Sequence, residues 1–103
     1  MLQNWKFFFG KVNQTTRDAL EAAVGLCVSR TNYEVEVEHY LMKLLDETDS
    51  DIQHILRHFE VDKSRLAADL TRSLDRMKRG NGRGPAMSQM LVSMLTEIGR
   101  AHV

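Results

Sequence analysis

The chain has 103 residues, 43% of them hydrophobic, which is enough apolar material for one small core and too little for two. Fourteen Lys and Arg balance fourteen Asp and Glu, so no bulk field draws it toward nucleic acid or an anionic membrane. The single cysteine, Cys27, excludes an internal disulfide and lies on the apolar side of a helical pattern, which fits a reducing interior and a cytoplasmic location.

The chain opens on Leu2 to Phe9, an aromatic-rich segment of two helical turns ended by Gly10, which suits a left-handed C-cap. Trp5, Phe7, Phe8 and Phe9 form far too short a run to span a membrane, and no small-residue cleavage site follows. A polar hinge, Lys11 to Thr16, holds three candidate caps in Asn13, Thr15 and Thr16. The next helix is expected to run to about Arg30. Its apolar residues Ala19, Leu20, Ala22, Ala23, Val24, Leu26, Cys27 and Val28 cover more than one face, so it reads as the central, most buried helix.

After a polar break at Ser29 to Tyr33, residues Val37, Tyr40, Leu41, Leu44 and Leu45 recur at i, i+3, i+4, i+7 and i+8, one stripe of a second helix. Glu34 to Glu38 alternates like a strand but is short and has no partner pattern elsewhere, so it reads as a helix entry. Ser50 with Gln53 forms a capping box before a third helix carrying Ile52, Ile55, Leu56 and Phe59. Asp62 caps a fourth, with Leu66, Ala67, Leu70, Leu74 and Met77 as its buried stripe and the basic run Arg76 to Arg79 at its C-terminal end. Gly80 to Pro85 reads as a flexible linker. Ser88 caps a final stretch whose apolar face is Leu91, Met94 and Leu95, with Met87 placed as a staple against Val92.

Catalytic patterns are weak throughout. His54 and His58 sit at i, i+4 without a third ligand at a compatible spacing, and read as a solvated face. Glu38-His39 has the wrong order for a zinc protease, and His39 reads as a residue that hydrogen-bonds locally near a helix N-terminus. Ser29, Ser50 and Ser88 have turn or capping roles, and the glycines of the linker lack the strand and the GK[ST] of a phosphate loop. The basic stretch Lys63 to Arg83 carries the rival reading, a small helical nucleic-acid binder, although Asp69 and Asp75 interrupt it.

Several runs together resemble one family. These are Phe9-Gly10-Lys11 leading into Asn13, then Ala19-Leu20-Glu21-Ala22-Ala23, Gly25-Leu26-Cys27-Val28-Ser29-Arg30, Glu34-Val35 with Glu38-His39, Lys43-Leu44-Leu45-Asp46, and Asp51-Ile52 with Ile55-Leu56-Arg57-His58-Phe59. Over roughly residues 7 to 95 the chain is similar to the Clp N-terminal domains, and within them to the ClpV type of the AAA+ unfoldases of bacterial type VI secretion. The resemblance implies an all-α bundle, the first four-helix repeat plus the start of a second. It also implies a non-catalytic domain that recognises an amphipathic helix of the sheath's large subunit, with no nucleic acid or membrane partner. No cofactor is implied here; ATP and magnesium belong to the parent ATPase, expected to be a cytoplasmic homo-hexamer. Mapped onto this sequence, the hydrophobic groove comprises Phe8, Phe9, Ala19, Ala23, Met87, Met90 and Leu91. Gln14 stands where the family usually has proline, and Met87 where it has an aromatic, which makes the groove more pliable. A stand-alone adaptor of the same fold is the other alternative. Residues 1 to 97 are expected to be the partial domain, and Ile98 to Val103, which correspond to one reading frame of a sequencing adapter, a non-native tail.

Overall fold

Helical periodicity is realised in five helices among the described residues, which are 14–46 and 51–101 of the computed structural model. They are α1 (Gln14–Ser29), α2 (Val37–Leu45), α3 (Asp51–His58), α4 (Lys63–Asp75) and α5 (Gln89–Ala101). The Leu2 to Phe9 segment, Asn13 and Ser50 lie outside the described residues. Two caps act as the sequence requires: Asp62 Oδ1 accepts from the backbone N–H of Ser64 at 2.9 Å and of Arg65 at 3.2 Å, and Ser88 Oγ accepts from Leu91 N–H at 3.1 Å. Gln53 donates to the Leu45 carbonyl at 2.9 Å, bridging α3 back to the end of α2. α5 runs through Ala101, so the tail expected to be non-native continues the helix.

The centre of the bundle is α2 and not α1, because α2 packs against both α1 and α4 and also meets α3. α1 is amphipathic: Ala19, Leu20, Ala23 and Cys27 have no exposed surface, whereas Ala22, Gly25 and Val28 face outward. Two apolar clusters result. One joins Ala19, Leu20, Ala23, Cys27, Val35, Tyr40, Leu91 and Leu95; the other joins Leu45, Leu56 and Leu70, and Leu41 packs against both. On α3 the helical stripe is only half used. Leu56 is buried, but Ile55 is 50% and Phe59 69% exposed, because nothing among the described residues packs over that end.

The reversal after α1 organises the remaining chain. Asn32 N–H reaches back to the Cys27 carbonyl and Thr31 N–H to that of Val28, both at 3.0 Å, closing a Schellman motif with Thr31 in the left-handed region at φ 56°. A β-branched residue is unfavourable there. It is held by the loop after α4, since Gly80 N–H donates to Thr31 Oγ1 at 3.0 Å and Asn81 N–H to the Thr31 carbonyl at 2.9 Å. Gly80 itself has φ 103°, a conformation open to glycine. The glycine segment is therefore sewn down at its start, and reading it as a plain linker understated it.

Asn32 is the hub of this seam and is 2% exposed. Its Nδ2 donates to the Lys78 carbonyl at 2.9 Å, its carbonyl accepts from Asn81 Nδ2 at 3.1 Å, and its Oδ1 lies 2.9 Å from His39 Nε2. His39 Nδ1 accepts the Glu36 backbone N–H at 2.9 Å, so its proton is on Nε2 and is donated to Asn32. Burial holds the imidazole below its ordinary pKa of 6.5; Glu38 pulls upward and Arg30 adds to the lowering. From the hub the chain enters β1 (Glu34–Val35), which pairs in parallel with β2 (Ala86–Met87), Glu34 opposite Ala86 and Val35 opposite Met87. The strand-like alternation at Glu34 is thus a real bridge and not merely a helix entry. Its partner lies about fifty residues on, where local pattern gives no sign of it.

Replacing Leu20 by Ala is expected to lower the unfolding free energy by about 2–5 kcal/mol in urea titrations, and Ile55→Ala by less than about 1 kcal/mol because half of that side chain already meets water. Because His39 binds its proton more weakly when folded than when unfolded, its contribution is complete above pH 6.5 and declines as pH falls from there through the lowered folded value. Urea midpoints at pH 7.5 and 5.5 should show that loss, and His39→Gln, which keeps an acceptor for Glu36 N–H without titrating, should flatten it.

Candidate functional site

The described residues mapped to the groove fall on α1, β2 and α5, which the seam brings together. β1–β2 pairing delivers Met87 to the apolar cluster on α1, and the Ser88 cap then turns Leu91 and Leu95 onto it, where each is fully buried. Ala19 and Ala23, four apart on α1, belong to the same cluster and are small enough to let neighbouring elements approach closely. So four of the seven mapped residues, Ala19, Ala23, Met87 and Leu91, form one apolar seam, with Met87 half-buried and the other three without exposed surface. Met90 stands apart from them at 71% exposure. Phe8 and Phe9 lie outside the described residues.

Exposed positions of α1 are Gln14, Asp18, Glu21, Ala22, Gly25, Val28 and Ser29, spaced along one side of the helix. Among the described side chains of α1 and α5, Val28, 53% exposed, and Met90 are the large apolar ones left to solvent. Val28 does not stand out in the sequence, where it looks like a further member of the apolar set of α1, whereas Met90 is one of the residues mapped to the groove. A methionine there can repack against partners of varied shape, since its unbranched thioether has three rotatable bonds.

The remaining chemistry is structural. Burial pushes the Cys27 thiol up to about 11, with Glu36 adding to the shift, and Sγ donates to the Glu34 carbonyl at 3.3 Å. A thiol held protonated in this way is not a nucleophile at neutral pH. Burial likewise raises the Tyr40 phenol, which hydrogen-bonds Thr16. His54 and His58 are exposed on α3, with His58 edge-on to Phe59 at 5.0 Å. A cleft of about 280 Å³ lies beside the hub, lined by Asn32, Tyr33, Glu34, Glu36, Met77 and Lys78. It is at the small end for a ligand pocket and carries charges of both signs. In the basic stretch, Asp75 pairs with Arg30 and with Arg79, Asp69 pairs with Arg72, and Lys78 lies 5.2 Å over the Tyr33 ring. Of the seven basic residues in the stretch, Arg72 and Arg79 are thereby paired with carboxylates. No helix among the described residues is long and apolar enough to cross a membrane.

Residues 11–102 match the family described as the Clp repeat (R) N-terminal domain. The AAA+ ATPase ClpV1 of Pseudomonas aeruginosa is 44% identical over 73 residues, which are 71% of this chain and 8% of that protein. Among solved structures, the N-terminal domain of the ClpV1 ATPase from the Sci1 type VI system of enteroaggregative E. coli superposes with a TM-score of 0.83 at 28% identity, covering 92% of this chain and 58% of that one. A ClpV N-domain in complex with a VipB peptide gives a TM-score of 0.77 at 32% identity, covering 89% of this chain and 56% of that one. The chain thus spans about 8% of the length of its curated relative. Helical architecture and a match along almost the whole chain agree: it belongs to the Clp N-terminal domain family, a family of non-catalytic substrate-binding domains.

Proposed function

We propose that this chain is the substrate-recognition domain of a ClpV-type AAA+ unfoldase, docking an amphipathic helix from the large subunit of the type VI secretion sheath. The observation that carries the reading is its likeness, over 89% of its length, to a ClpV N-domain bound to a VipB peptide. The physical chemistry agrees with it. A helix-in-groove contact needs an apolar surface on a rigid support and no catalytic group, and α1 with the β2–α5 segment supplies such a support. The parent protein would be a homo-hexameric ATPase of the bacterial cytoplasm, with ATP and magnesium bound outside this domain.

The docking set is Phe8, Phe9, Ala19, Ala23, Met87, Met90 and Leu91, acting in two ways. Among the described members Met90 is the accessible one and touches the incoming helix directly. Ala19, Ala23 and Leu91 act from beneath, fixing how closely α1 and α5 approach. The nucleic-acid alternative is less favoured, because the arginines of the basic stretch are partly committed to Asp69 and Asp75.

Fluorescence anisotropy with a labelled peptide from the sheath large subunit tests the reading. Met90→Asp is expected to weaken binding by about 10-fold or more, the loss of one apolar anchor, with helicity by circular dichroism unchanged. Ala23→Asp should instead unfold the domain. Binding should change little between low and high salt, where phosphate contacts would lose about a thousandfold. Wild-type affinity in the Met90 variant would remove Met90 from the surface, and a steep salt dependence would favour the nucleic-acid reading.

A further inference from the structure

We propose that Asn81-Gly82 is a self-modification site, at which the Asn81 side chain loses its amide through a cyclic succinimide. The sequence holds four asparagines, followed by Trp5, Gln14, Tyr33 and Gly82, so Asn81 alone precedes a glycine. Cyclisation requires the backbone nitrogen of the following residue to reach the asparagine Cγ, and a side chain on that residue obstructs the approach. At Gly82 the surroundings are open, and even an added Cβ would meet nothing within 4 Å.

The loop also supplies electrostatic help. Asn81 Oδ1 accepts the Arg83 backbone N–H at 3.0 Å, an Asx turn that folds the side chain back across the Gly82 peptide. When Gly82 N adds to Cγ, negative charge develops on that same Oδ1, and the Arg83 N–H is already aimed at it, as an oxyanion donor is. In the reaction Gly82 N gives its proton to solvent base and bonds to Cγ. The Cγ–Nδ2 bond breaks, and the nitrogen leaves as ammonia with a proton from water. Water then opens the ring at either carbonyl, leaving an aspartyl or an isoaspartyl residue at position 81. No electrons are transferred to or from any other group.

The departing nitrogen is the one that ties the loop to the hub, donating to the Asn32 carbonyl at 3.1 Å. A carboxylate in its place offers no donor and repels that carbonyl, and the isoaspartyl form lengthens the backbone as well. Modification therefore removes one of the four bonds that hold the loop to Thr31 and Asn32 and sets a repulsion in its place, which loosens the β1–β2 pairing that positions Met87. Asn32 is protected from the same chemistry by its burial and by the bulk of Tyr33 after it.

The test is to incubate the full chain at mildly alkaline pH and follow each asparagine by peptide mass mapping, with isoaspartyl methyltransferase labelling of the product. Deamidation at position 81 is expected to run at least about tenfold faster than at Asn32. Gly82→Ala, which the open surroundings admit without disturbing the fold, should slow it by a similar factor and remove most of the label. An intact Asn81, a rate no greater than that at Asn32, or an unchanged rate in Gly82→Ala overturns the proposal. Asn81→Asp should also speed hydrogen exchange at the amides of Ala86 and Ser88, which donate to Tyr33 and Val35; unchanged exchange there overturns the release of β2.

Discussion

A buried amide side chain must satisfy its own hydrogen bonds, and at Asn32 that requirement fixes the path of the chain on both sides of it. Its backbone closes α1, its side chain meets the helix that follows, and its partners at Lys78 and Asn81 come from a loop more than forty residues away. Leaving such a donor or acceptor unpaired in the interior costs about 1–3 kcal/mol, comparable to burying a large apolar side chain. The hub is thus as strong a determinant of the fold as any single core contact, and more directional. Apolar contacts permit sliding. The Asn32–His39 and Asn32–Asn81 bonds set which residue of β1 faces which residue of β2.

That register matters because a two-residue parallel pairing has little stability of its own. It persists because the hub lies at one end of it and the Ser88 cap at the other, with Ser88 N–H bonded to the Val35 carbonyl at 3.0 Å. A one-residue slip would turn Met87 away from the cluster and move the start of α5 with it. The apolar seam between α1 and α5 is consequently placed by polar chemistry some distance from it. Ala19 and Ala23 contribute small, fully buried side chains to it, and the hydrogen bonds define its direction.

The parts of this design that were legible in the sequence are those encoded locally. Asp62 and Ser88 are caps because an acceptor side chain stands just before an apolar-periodic run. α2 is found from the spacing of Val37, Tyr40, Leu41, Leu44 and Leu45, and the local role read for His39 is met by Glu36 N–H. Periodicity identifies a face without counting its neighbours. It therefore made α1 the central helix, where α2 holds that place, and it gave Ile55 and Phe59 the same weight as the buried Leu56. The β1–β2 bridge was missed because its information is divided between segments that are individually too short to signal a strand. Asn32 was passed over inside a polar break, since nothing in a sequence separates a solvated asparagine from a buried one. Of the residues that the family resemblance mapped to a groove, Ala19, Ala23, Met87 and Leu91 do share a cluster, while their exposure depended on packing that spacing does not contain.

The division of labour between hub and surface has a further physical consequence. A helix-binding surface gains affinity from apolar area removed from water, and the stiffness of its side chains sets how many partner shapes it can accept. Rigid aromatics favour one shape, and methionines tolerate several at some loss of preorganisation. This chain has Met87 in β2 and Met90 in the first turn of α5, so the side chains are adaptable where a partner would lie. The compensation is in the backbone. α5 begins at a satisfied cap, directly after a bridge whose register is set by a buried asparagine, so the flexible side chains are carried on a fixed frame. Adaptability at such a surface is compatible with specificity only while that frame holds, which makes the polar seam between residues 31–35 and 78–88, far more than any one apolar contact, the element on which the proposed recognition would depend.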